Sequence, residues 1–211
     1  TGTISPAASV GALPIQDPFD DLDLTSPNCV NALENVVHSG NSVISLPAGV
    51  HCENYRVTGN ATLILEPGEH YFKGQLEFNG NSKLRGNDVV LIFDPDRAFS
   101  FDQKADIRIT ARQTGPLAGF LIATGRSNTK RFTISSNQVR ELLGTIYIPG
   151  SELYVSSSGN VAQDSAWSVI VAKRLTLANN PVLVINKNYV GSGVPVPEGV
   201  GPSSGVPRLA R

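Results

Sequence analysis

The sequence predicts an all-β chain folded as a single-domain right-handed parallel β-helix of about seven coils of ~20 residues, with a short N-terminal capping helix. Three observations carry this expectation: turn residues recur at a fixed period, apolar residues alternate between them, and the composition can fill a core. Of 211 residues 40% are hydrophobic and 17% charged, far from the polarity of a disordered chain.

The period comes from Ser39-Gly-Asn41, Thr58-Gly-Asn60, Asn79-Gly-Asn81, Ser158-Gly-Asn160 and Ala178-Asn-Asn180, each opening an apolar segment. The asparagines are spaced by 19, 21 and 20 residues (41 to 60, 60 to 81, 160 to 180). Two degenerate copies, Asp102-Gln-Lys104 and Ser135-Ser-Asn137, fall 23 residues after Asn81 and 23 before Asn160. Corners of a winding chain often need a positive φ, which glycine adopts freely and asparagine at small cost, so recurring Gly-Asn marks equivalent corners. Asparagine amides at such corners can also stack from coil to coil.

Between corners, Leu63 and Leu65, Val89, Leu91 and Phe93, Ile107 and Ile109, Ile146 and Ile148, and Leu183 and Ile185 alternate with other residues. A period of two means strands with one face inward. A repeat this short cannot bury its own apolar side, so stacking supplies the core. An antiparallel β-sandwich also joins short strands by glycine turns and remains the alternative.

Residues 1–16 are small and weakly patterned, an arm or linker. Residues 17–38 form a capping segment at the head of the β-helix domain 17–189, acidic over Asp17 to Pro27, with helical apolar spacing at Val30, Leu33, Val36 and Val37. Lys104 and Asn137 lie 33 residues apart, longer than one coil; the excess is assigned to Thr124–Phe132, a protruding polar loop whose basic tip, Arg126, Lys130 and Arg131, suits an acidic partner. Residues 190–211 form a Gly/Pro-rich tail, expected to be extended and mobile.

Cys29 and Cys52 are the two cysteines, an even pair that favours a disulfide in an exported chain; two free thiols remain the alternative. Zinc held by these thiols with His38, His51 or His70 is disfavoured, because neither C-x-x-C nor H-x-x-x-H occurs. Lys and Arg total 17 against 18 Asp and Glu with no long block of either sign, which argues against nucleic-acid binding. No apolar run is long enough to span a bilayer. The start at Thr1 and the lack of methionine suggest a fragment, with any anchor outside this sequence.

No phosphate-binding loop is present, and no catalytic residue, cofactor or metal is assigned. The acidic residues Asp88, Asp94, Asp96, Asp102 and Asp106 keep open a carbohydrate-active reading, since glycoside hydrolysis needs paired carboxylates. Calcium fits them poorly, because Asp94-Pro-Asp96 lacks the glycine of a calcium loop. Tyr71, Phe72, Phe99, Phe101 and Tyr154 could line a ligand strip, but Phe99 and Phe101 are expected in the core.

Several segments resemble a known family. The run Pro67-Gly-Glu-His-Tyr-Phe-Lys-Gly74, then Asn79-Gly-Asn81, Val89–Phe93 and Ile107–Ile122, together with Asp17-Pro-Phe19, Leu143–Pro149 and Ala172–Asn179, is similar to the C-terminal region of TadG/TadE-like proteins of the tight-adherence (Flp) pilus machinery. The resemblance covers roughly residues 17–189 and rests on short, degenerate patterns. It implies a non-catalytic extracytoplasmic domain, held outside the membrane by an N-terminal helix absent from this chain, that works with pilins and other envelope proteins in pilus assembly and adherence. The alternatives are a carbohydrate-active or carbohydrate-binding β-helix and an adhesin.

Overall fold

The computed structural model describes residues 17–25, 27–30 and 34–201. Its strands wind through three faces per turn. The first turn contains β1 (Glu34–His38), β2 (Val43–Leu46) and β3 (Gly49–His51); the second β4 (Glu53–Val57), β5 (Thr62–Leu65) and β6 (Gly68–Phe72). The third contains β7 (Leu76–Phe78) and β8 (Lys83–Phe93), which bends through two faces; the fourth β9 (Phe99–Phe101), β10 (Asp106–Ala111) and β11 (Phe120–Thr124). β12 (Arg131–Ile134), β13 (Val139–Val155), β14 (Asn160–Val161), β15 (Ser168–Leu177) and β16 (Val182–Leu183) complete about seven turns.

Every pairing between these strands is parallel. The expectation of a parallel solenoid holds, and the antiparallel sandwich is excluded. The first face stacks β1-β4-β7-β9-β12 and then the ends of β13 and β15, while β2-β5-β8-β10-β13 forms the second. Inward columns such as Leu76–Phe99 and Phe78–Phe101–Ile134–Val155 are buried, as expected for Phe99 and Phe101.

The corners follow the Gly-Asn period. Gly40, Gly59 and Gly80 have φ of +68°, +67° and +68°, and Gln103 takes the same conformation at +57°. Asn60 N–H donates to the Gly40 carbonyl and Asn81 N–H to that of Gly59, each at 2.8 Å. The side chains form the expected ladder: Asn60 Nδ2 donates to Asn41 Oδ1 (3.1 Å), and Asn81 Nδ2 to Asn60 Oδ1 (3.3 Å). Asn137 departs from the expected register, since it packs against Gly159 and not Asn160.

Four expectations need correction. The capping helix is absent among the described residues: Glu34–His38 is strand β1, whose backbone groups are drawn into the ladder with β4, and residues 31–33 of the predicted helix lie outside the described residues. The excess length lies mainly in the turn 112–119, not in 124–132. The partner offset is 22 at Val89–Ala111 but 31 at Leu91–Ile122. The segment 17–25 does not cap the end. Phe19, Leu22 and Leu24 lie along the outer side of the third face, built from β3, β6, β8, β11, β13 and β15, against Val90, Ile92, Phe120, Ala123 and Tyr147. Finally, the tail docks as far as 201. Val194 is buried, and a β-carbon on Gly119 would meet the Pro195 carbonyl at 2.3 Å, so this glycine leaves room for the chain crossing it. The arm 1–16 and residues 202–211 lie outside the described residues.

Candidate functional site

The outer surface is organised in columns that run from coil to coil, and many of its polar side chains bond to neighbouring coils. Arg56 pairs with Glu77 (2.9 Å), Arg85 with Asp106 (2.6 Å) and Arg131 with Glu152 (2.8 Å), each across one turn. A second amide ladder, not foreseen from sequence, joins Asn54 Nδ2 to Asn35 Oδ1 (3.0 Å) and Gln75 N–H to Asn54 Oδ1 (2.9 Å). Asn35 and Asn54 follow no glycine, so the Gly-Asn period does not mark them.

The loop holding Arg126, Lys130 and Arg131 is pinned at its centre, while these three side chains stay exposed. Asn128 is fully buried: its Nδ2 donates to the carbonyls of Asp94 (3.0 Å) and Arg97 (2.7 Å), and its Oδ1 accepts from Lys130 N–H (2.9 Å). An amide so satisfied fixes the loop to the preceding coil. Each cation has an acidic neighbour. Arg126 bridges Asp17 and Asp20 at 2.6 Å, Lys130 lies 3.6 Å from Asp96, and Arg131 pairs with Glu152 while stacking over Tyr154 at 4.6 Å. Arg126 therefore anchors the strap 17–25, with Tyr147, whose hydroxyl meets Asp17 Oδ2 at 3.0 Å. Burial and the Asp17 bond push the Tyr147 hydroxyl up to about 12.

The other end of the strap is held covalently, because Cys29 and Cys52 form a disulfide with their Cα atoms 5.7 Å apart. The bridge ties the strap to the turn that follows β3.

The acidic residues singled out from sequence are dispersed among separate partners. Asp94 pairs with Lys73 (2.9 Å), Asp88 with Arg112 (2.6 Å) and Asp106 with Arg85, while Asp102 accepts from the hydroxyls of Ser100 and Ser135. Two carboxylates not foreseen, Glu141 and Asp164, lie together beside Arg108 on the second face. Burial and then Asp164 raise the Glu141 pKa, against the opposing effect of Arg108. Among the described residues no group of three or more His, Cys, Asp or Glu side chains could hold a metal ion.

Two of the three histidines meet in the core. His70 Nε2 lies 2.8 Å from the Glu66 carbonyl, so it must donate; His70 Nδ1 then accepts from His51 Nε2 at 2.9 Å. Burial, reinforced by His70, lowers the His51 pKa to about 4, and burial lowers that of His70 despite the Glu66 bond.

A groove lies on the first face near the first turns, a volume of about 430 Å³ lined by Asn35, Asn54, Arg56, Gln75, Glu77 and Arg97 among others. It is large enough for a small polar ligand. No helix of the described residues is long and apolar enough to cross a membrane. The chain matches no protein-family model, no curated protein and no solved structure.

Proposed function

We propose that this chain is a non-catalytic structural and interaction domain of a cell-envelope protein that takes part in Flp (Tad) pilus assembly and surface adherence. In this reading the solenoid winds to the right, lies outside the cytoplasmic membrane, and is held there by an N-terminal helix outside this sequence. Its partners are other pilus-assembly or envelope proteins, and it needs no cofactor.

The observation that carries the reading is the use of the surface charges. Carboxylates that could have been gathered for chemistry are instead paired across coils, as in Arg56–Glu77, Arg85–Asp106 and Arg131–Glu152, which suits a rigid rod. The Cys29–Cys52 bridge favours an oxidising compartment. The segment resemblance supplies the link to pili.

A second reading, a carbohydrate-binding or carbohydrate-active β-helix, rests on the amide-lined groove at Asn35, Asn54 and Gln75 and on the Glu141–Asp164 neighbourhood. The two readings separate on one pair of assays. The purified domain is passed over immobilised Flp-type pilin and incubated with a panel of uronate polymers. Saturable pilin binding without release of reducing ends or unsaturated sugars is expected. Robust polymer degradation would overturn the first reading.

A further inference from the structure

Among the described residues the core of the solenoid is open at both ends, and the two ends fit each other. On the last turn, Leu175 and Leu177 occupy inward columns, paired with Leu153 and Val155, which are both fully buried; yet they are themselves 43% and 50% exposed. On the first turn, the inward residues Val36, His38, Ile44 and Leu46 are only half-buried, although Val57 and Leu63 one coil further in are fully buried. A repeat array that ends without a polar outer face leaves at each end the surface its own coils use for stacking.

Among the described residues the backbone edges are open too. Thr58 N–H donates to the His38 carbonyl. Because the N–H and C=O of one strand residue face the same neighbour, the alternate residue Val37 presents its pair away from β4. At the other end Ala178 N–H donates to the Val155 carbonyl, so Leu175 and Leu177 present theirs away from β13.

Charge complements this geometry. Among the described residues, Lys173 and Arg174 at the last turn are exposed with no acidic partner within 4.0 Å, and Glu34 at the first turn is exposed with no cationic partner within 4.0 Å. Extending the first-face register by one more turn would set Glu34 of a second copy over Lys173 and beside Arg174, Val36 over Leu175, and His38 over Leu177. Val36 would then continue the inward apolar column, as coils do inside the chain, and an acidic residue would meet basic ones at the strand ends.

We infer that a second copy of this chain docks end to end, its β1 edge pairing in parallel with the β15 edge, so that the solenoid continues across the junction. The contact is heterologous and does not close on itself, so it generates linear chains. The inference does not depend on the pilus reading, since it concerns self-association alone.

The test uses two edge-blocked variants of the full chain. Val37→Pro removes the open N–H at the first turn and Leu175→Pro at the last, leaving the ladder bonds to β4 and β13 in place. Sedimentation equilibrium of the wild type should show average mass rising with concentration beyond that of a dimer. Each variant alone should be monomeric, with at least a tenfold loss of association, and an equimolar mixture should form a dimer and stop there. Thermal melts show whether each variant is folded, and Leu177→Lys replaces Leu175→Pro if that variant unfolds. A wild type that stays monomeric at all concentrations, for instance because other residues of its own chain cover these ends, would overturn the inference. So would a folded variant that associates as well as the wild type, or a mixture that stays monomeric.

Discussion

A β-carbon added to Gly59 would lie 3.1 Å from the backbone nitrogen of Gly40, one coil below. The same spacing recurs one coil on, where a β-carbon on Gly80 would lie 3.1 Å from Gly59 N. The corner column is thus packed backbone on backbone, with a φ that a side chain resists. Gly59→Ala combines the left-handed penalty with a contact the stacked backbone cannot easily relieve. It should destabilise the domain by roughly 1–2 kcal/mol, read from the midpoint of urea unfolding. An unchanged midpoint would mean that the corners do not stack.

The amide ladder beside this column makes a graded prediction. Asn60 both donates to Asn41 and accepts from Asn81, so Asn60→Ala should cost about 1 kcal/mol. Asn60→Asp should cost more, because it keeps the acceptor for Asn81 but sets a carboxylate against Asn41 Oδ1. Equal midpoints for the two variants would contradict the ladder.

Reduction of the Cys29–Cys52 bridge removes the covalent hold on the strap. The separation of 23 residues corresponds to about 3 kcal/mol on the loop-entropy estimate. The melting temperature should fall on reduction, and amide exchange at 17–25 should accelerate before that of β8 or β13. Exchange that speeds up equally everywhere would show that the bridge acts on the whole domain and not on the strap.

Phe19 tests the strap independently. It is 8% exposed and makes edge-to-face contacts with Phe120 (4.8 Å) and Tyr147 (5.3 Å). Phe19→Ala should destabilise by roughly 3 kcal/mol and return the Tyr147 hydroxyl toward its ordinary pKa by wetting it. A Tyr147 titration unmoved by this change would place the strap elsewhere.

The buried imidazoles predict an acid-side loss of stability. His51 stays neutral in the folded chain down to about pH 4, whereas the unfolded chain takes up a proton near pH 6.5. The unfolded state therefore binds more protons between those values, so stability is full above pH 6.5 and declines as pH falls toward 4. The decline should be on the order of 2–3 kcal/mol, with His70 acting in the same direction. The double variant His51→Leu, His70→Leu should lose this slope when unfolding midpoints are measured across the window. A slope unchanged in the variant would assign it to carboxylates.

What the sequence revealed was what the backbone demands locally. Gly40, Gly59 and Gly80 could be aligned because a positive φ leaves a residue-type signature, and the inward strands because alternation does. β1 was misread because Val30, Leu33, Val36 and Val37 also fit a helical stripe, and short apolar runs do not distinguish the two until a partner strand is present. The strap, the docked tail and the Asn35–Asn54–Gln75 ladder depend on contacts between distant segments, such as Arg126 with Asp17, for which no local pattern is needed. The basic loop looked free for the same reason: its acidic partners lie far away in sequence.

Inter-strand nuclear Overhauser contacts in the uniformly labelled chain test the winding itself. The account predicts amide-to-α contacts in parallel register at offsets of 19 to 23 residues, joining β2 to β5 at Val43–Thr62 and β8 to β10 at Lys83–Asp106, with side-chain amide contacts between Asn41 and Asn60. Strong α-to-α contacts between neighbouring strands, the mark of antiparallel pairing, would contradict it.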